Sequence, residues 1–199
     1  MGFVTESPAV VRSVLQRNLL NTWLRLQGRA YTLPGFAEFS FDRLEDELPD
    51  LVYYEVKAGG DDGPSFVVTH QGNRLAEIFG KIPVGQDLKQ WLPPHQIETL
   101  MPAYYECMLR CRPVYCAFDL PDVNGRVVNY ERLMLPFGSG LDVMFLLASV
   151  KAIGPDGSFV RNGLLWPQSE IIPQVGVIID SDLSLSRLEK QLDTDVVEL

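Results

Sequence analysis

Tyr130 and Arg132, in the stretch Tyr130, Glu131, Arg132, Leu133, Met134, Leu135, Pro136, are types that can bind a ligand together. Two residues apart on a strand they share a face, with Val128 and Met134. A guanidinium offers a planar fork of donors and a phenol offers a hydroxyl, which suits an anion or a carbonyl. The same arginine equally suits a surface pair with a carboxylate on the next strand. The other face carries Val127, Asn129, Glu131, Leu133 and Leu135. Either face can point inward if helices cover the sheet on both sides.

Other reactive types lack a constellation. Cys107 and Cys111 are one helical turn apart and Cys116 follows. They read as small buried hydrophobes rather than a metal or redox pair, because a structural zinc site takes four ligands. Two histidines, His70 and His95, rule out a multi-histidine metal centre. The serines have no nucleophile-elbow context, and Gly138, Ser139, Gly140 read as a turn. Gly59, Gly60 and Gly63 sit in an acidic hairpin unsuited to phosphate. A proton-transfer enzyme would need Asp119 or Asp142 as its base, and no partner marks either, so the chain is not expected to be an enzyme.

Seventeen Lys and Arg against 26 Asp and Glu give the 199 residues a net charge of −9. That argues against nucleic acid as a partner. With 46% hydrophobic residues the chain can bury a core. No run approaches the ~18 apolar residues of a membrane span. The first residues lack the basic-then-apolar layout of a signal peptide, so the expected location is the cytoplasm.

Ser7 and Pro8 open a helix whose apolar stripe, Val11, Leu15, Leu19 and Trp23, runs to Gly28. Its polar side carries Arg12, Arg17, Arg25 and Arg29, a solvated face or a dock for an acidic partner. An acid-rich linker from Glu38 to Asp62 reads as solvated surface. Strands are expected over Leu51–Ala58 and Pro64–Thr69. A short helix ending at Gly80 follows, then a helical piece over Asp87–Leu92 and a longer helix over His95–Arg110. Three more strands cover Val114–Leu120, Arg126–Leu135 and Leu141–Val150. Leu164 to Pro167 is sticky, Val177–Ile179 can pair as a further strand, and Asp182–Leu192 can form a helix.

This order, with Gln71, Gly72, Asn73, Arg74, Leu75, Ala76, Glu77, Ile78, Phe79, Gly80 and then Pro83, Val84, Gly85, resembles a PAS sensor domain. It is most similar to the bacterial PAS-5 type found largely in alphaproteobacteria. Trp23, Leu24, Arg25, Gly28, Arg29, Leu33, Pro34 and the strand Tyr130 to Pro136 stand in that family's arrangement, over about residues 15 to 151. The resemblance implies an α+β fold with a five-stranded antiparallel sheet and helices inserted between the second and third strands. An N-terminal amphipathic helix and a C-terminal extension flank it. The divisions are 1–35 for the helix and linker, 36–151 for the PAS-like domain and 152–199 for the acidic extension.

In such a fold a cavity between sheet and helices receives small molecules, and Trp91, Tyr104, Tyr115, Tyr130, Arg132 and Phe145 are the expected lining. A histidine on the long helix can hold haem in some members, but His95 stands at its first turn and reads as a surface residue. No cofactor is assigned. The implied function is a stand-alone sensory or adaptor protein, binding a small molecule or a signalling partner and associating with a second copy through the N-terminal helix or the tail. The alternative is an interaction module whose cavity is filled by its own side chains.

Overall fold

The computed structural model describes residues 2–28, 32–42, 44–59, 63–154 and 169–183. Its strands are β1 (Val4–Glu6), β2 (Leu51–Lys57), β3 (Ser65–Gln71), β4 (Val114–Pro121), β5 (Val127–Ser139), β6 (Asp142–Ile153) and β7 (Ile172–Ile179). Its α-helices are α1 (Val14–Gln27), α2 (Asn73–Phe79), α3 (Leu88–Trp91) and α4 (Pro94–Arg110). The strands form one sheet in the order β1-β7-β4-β5-β6-β2-β3.

A five-stranded antiparallel sheet is therefore not what forms. β7 adds antiparallel to the outer side of β4, and β1 pairs parallel to β7, so the sheet has seven strands and is mixed. The added strands have weak local signals. β1 is three residues long, with Val4 and Thr5 exposed, and no alternation can be read over that length. Its place is set by pairing with Val177 to Ile179 and by the Asp180 N–H donating to Glu6 O at 2.8 Å. Only the last part of β7, Val177–Ile179, stands out as a strand in the sequence.

Alternation gives the sheet two buried faces. Val52, Tyr54, Phe66, Val68, Cys116, Phe118, Tyr130, Met134, Leu146 and Ala148 pack under α2, α3 and α4. Leu51, Tyr115, Leu133, Leu135, Phe137, Leu147, Val177 and Ile179 pack on the opposite face with Leu19, Leu20 and Trp23 of α1. Burying each of the Val, Leu, Ile, Phe and Met side chains among them is worth about 1.5–3 kcal/mol. The Trp23 Nε1–H donates to Pro136 O at 2.7 Å, fixing α1 across β5. The apolar stripe of α1 is thus used on its own sheet.

The first helix starts later than its sequence suggests. Pro8–Val10 is a 3-10 turn, and Ser13 caps α1, its hydroxyl accepting from the Gln16 N–H at 3.4 Å. Gly28, at φ 57°, ends it. β5 also runs past its expected end at Leu135, through Pro136 to Ser139, with a bulge between Phe137 and Gly138. A Cβ at Gly138 would lie 1.8 Å from Asp142 O, so the close hairpin needs glycine there.

Part of the acid-rich linker is buried rather than solvated. Glu47 and Asp50, in a 3-10 segment over Glu45–Asp50, accept from Lys151 Nζ at 2.6 and 2.5 Å, and all three are at most 2% exposed. Ser149 Oγ donates to Glu47 at 2.9 Å, Arg74 of α2 reaches Asp50 at 2.5 Å, and Gln16 of α1 donates to Ser149 O at 3.1 Å. This polar line passes the sheet between α2 and α1. Leu164 to Pro167, and the helix expected over 182–192 from residue 184 on, lie outside the described residues. Among the described residues no helix is long and apolar enough to cross a membrane.

Candidate functional site

Under α2 and α3 the sheet leaves a cavity of about 40 Å³, bounded by Val52, Tyr54, Phe79, Trp91, Tyr104, Tyr130 and Arg132 among others. β5 supplies Tyr130 and Arg132, opposite Phe118 and Cys116 of β4. β2 supplies Tyr54, and α4 brings Tyr104 down from the helical layer. Phe79 closes the top, its ring edge-on to Tyr130 at 5.4 Å. The loop after α2 is tied to β3 by Gln71, whose Nε2 donates to Gly80 O at 3.0 Å and whose Oε1 accepts from the Ile82 N–H at 2.8 Å.

Arg132 is 6% exposed. Its Nη1 donates to Tyr104 Oη at 2.9 Å, and its Nε and Nη2 donate to Tyr130 Oη at 3.2 and 2.5 Å. Tyr104 Oη is in turn 3.0 Å from Tyr54 Oη. The guanidinium carbon lies 5.1 Å from the Tyr104 ring centre and 5.3 Å from that of Tyr130, so both rings also offer it their π faces. No carboxylate pairs with Arg132 among the described residues. The site holds one cation, three phenols and an apolar wall.

Electrostatics sharpen that description. Burial disfavours the charged guanidinium, but Tyr104, Tyr130 and Tyr54 outweigh it and raise the Arg132 pKa, so the side chain stays charged. Burial pushes the Tyr104 hydroxyl up to about 12, Arg132 pulling the other way, and holds Tyr54 well above its ordinary value. Tyr104 and Tyr54 are therefore neutral donors and acceptors, not counter-ions. A buried charge without an opposite charge is electrostatically incomplete. Arg132 has five N–H donors, and the three bonds to the phenols leave two for a ligand.

Of the residues expected to line a ligand site, Trp91, Tyr104, Tyr130 and Arg132 come together here. Tyr115 and Phe145 do not. They face α1 on the other side of the sheet, Phe145 beside Phe36 at 5.6 Å between ring centres. Tyr54, Phe79 and Gln71 belong to the site without having been singled out; strand alternation alone places Tyr54 with Val52 and Val56. Arg132 is not in a surface ion pair. His95 is exposed, with Nε2 3.4 Å from Ser169 O, away from the cavity. No family model matches the chain, and no curated protein matches it.

Proposed function

We propose that this chain is a PAS-type sensory or adaptor protein that binds a small anionic molecule at Arg132 and signals through altered association with a second copy or a signalling partner. The observation that carries the reading is a buried guanidinium that faces a cavity and has phenols, but no carboxylate, around it. An anion entering there would complete the charge balance and take up the two remaining donors.

Room decides what enters. A cavity of about 40 Å³ holds a few waters or an ion of similar size, whereas drug-sized ligands occupy about 300–1,000 Å³. A larger anion must displace Phe79 and the loop after α2, and this displacement is the signalling step. It requires the anion to bind the opened arrangement better than the closed one. α2 carries Arg74, which grips Asp50 of the buried ion network, and Gln16 of α1 reaches the same network through Ser149 O. Movement of α2 therefore bears on the flanking helix.

Isothermal titration with formate, acetate, propionate and benzoate at fixed ionic strength tests the reading. Saturable binding that Arg132→Met abolishes is the expected result. The second reading, an interaction module with a filled interior, is favoured by the small size of the cavity. Absence of saturable binding by all four anions would favour it.

A further inference from the structure

A second concavity, of about 360 Å³, lies on the α1 side of the sheet. Tyr115, Ala117 and Asp119 of β4 and Asn129 of β5 form its floor, and Gln174 of β7 and Arg12 flank it. Beside them stands Glu131, whose backbone pairs with Ala117. Its side chain is 0% exposed, and its carboxylate meets the Arg12 guanidinium and the Tyr115 hydroxyl.

Tyr115 is 2% exposed, and its hydroxyl lies between the Glu131 carboxylate and the Arg12 guanidinium and interacts with both. Lys151 is opposite Glu131 in register, but its ammonium is drawn to Glu47 and Asp50 at 2.6 and 2.5 Å. Asp119 is the second acid, held by Asn129 Nδ2 at 3.1 Å and Gln174 Nε2 at 2.8 Å. The cation present is Arg12, which is in ion-pair contact with Glu131 and also touches Asn129 Oδ1. Its side chain is 61% exposed, and it comes from the segment between the 3-10 turn and α1, not from the sheet.

We infer that this cleft is a recognition site for a guanidinium group, with Arg12 as its built-in occupant. Three facts point the same way. A carboxylate buried to this degree demands a cation. The Glu131 carboxylate and the Tyr115 hydroxyl oxygen both accept from Arg12, as a fork of N–H donors requires. Asp119 and Glu131 outnumber Arg12, so the cleft stays acidic with its occupant in place. An external guanidinium, on a small molecule or on a peptide arginine, would compete with Arg12 and release the N-terminal segment from β5.

The test is chemical rescue of the full chain carrying Arg12→Ala. The melting temperature should fall, and methylguanidinium at millimolar concentration should restore it saturably at constant ionic strength, while tetramethylammonium should not. Tyr115→Phe in the Arg12→Ala background keeps the ring and removes the acceptor, and should weaken the rescue roughly tenfold. Arg12→Ala with Glu131→Gln should not be rescued at all. A blocked Gly-Arg-Gly peptide distinguishes the sources: rescue stronger than that by methylguanidinium indicates a peptide arginine, and weaker rescue a small solute. An Arg12→Ala chain that melts like the wild type, or a rescue unchanged by Tyr115→Phe, overturns the proposal. None of these variants touches Arg132, so the result is independent of anion binding on the other face.

Discussion

Arg132 of β5 and Tyr104 of α4 are joined by a hydrogen bond of 2.9 Å that runs from the sheet to the helical layer inside the core. The bond ties a permanent charge to a neutral phenol, and the cavity lies beside it. A purely structural arginine would be expected to meet a carboxylate at this depth. Stability should therefore respond oppositely to removing the two partners.

Arg132→Met removes the charge and fills similar volume, leaving Tyr54 and Tyr104 bonded to each other at 3.0 Å. Replacing buried charges by apolar groups is often neutral or stabilising. Tyr104→Phe leaves the guanidinium buried with one bond fewer, at a cost of about 1–3 kcal/mol. Urea unfolding without added anions should place Arg132→Met at or above the wild type and Tyr104→Phe below it. The reverse order would mean that the arginine serves stability rather than a ligand.

How far the site was legible depended on register. Alternation identified Tyr130 and Arg132 as one face of β5, but alternation within a strand says nothing about which residues of the next strand share that face. The link is the β4–β5 hairpin, where Pro121 pairs with Val127. Counting back from that pair sets Phe118 against Tyr130 and Cys116 against Arg132, which puts Tyr115 on the other side. Asp122 fixes the turn by accepting from the Asn124 and Arg126 N–H groups at 2.8 Å. Phe145 was misplaced for a related reason. The expected strand ends at Leu135, whereas β5 continues through Pro136 to Ser139 and sets Phe137 opposite Phe145.

The buried charges were harder still to foresee. Glu47 and Asp50 lie in a run of acids that looks solvated, and Lys151 is about a hundred residues away along the chain. Nothing local distinguishes a carboxylate that will meet a buried ammonium from one that will meet water. β1 failed for want of length, since three residues cannot display a period. Gly72, part of the PAS-like pattern, also has a packing role. Its Cβ position lies 2.3 Å from Pro49 O, so only glycine lets α2 start against the acidic segment.

The Lys151 network gives a stability prediction. Lys151→Met would leave Glu47 and Asp50 buried against one another, with Arg74 still near Asp50. Removing one partner of a buried ion pair costs about 3–5 kcal/mol. Arg74 is 32% exposed on its side chain, so Arg74→Ala should cost no more than about 1 kcal/mol after solvent screening. Urea denaturation midpoints, compared at fixed ionic strength, should separate the two variants clearly. Near-equal losses would mean that Lys151 contributes no more than a surface pair.

Alkaline pH should destabilise the fold through the groups beside Arg132. Burial pushes Tyr104 up to about 12 and Cys116 up to about 12, with Arg132 opposing both shifts. The unfolded chain gives up these protons near ordinary values, about 10 for tyrosine and about 8.5 for cysteine, while the folded chain keeps them. Above those values the native state binds more protons than the unfolded one, so stability is full below about pH 8.5 and falls as pH rises towards about 12. Each such group contributes a slope of about 1.4 kcal/mol per pH unit within its own window. Urea midpoints measured from pH 7 to 11 should hold steady and then decline, with the steeper part above pH 10 when Tyr104 joins Cys116. Phenolate absorbance from Tyr104 should appear only as the native structure is lost, and Tyr104→Phe should flatten the steeper part. A midpoint that stays level to pH 11 would mean that these groups titrate alike in the folded and unfolded chains, and that the core around Arg132 is open to water.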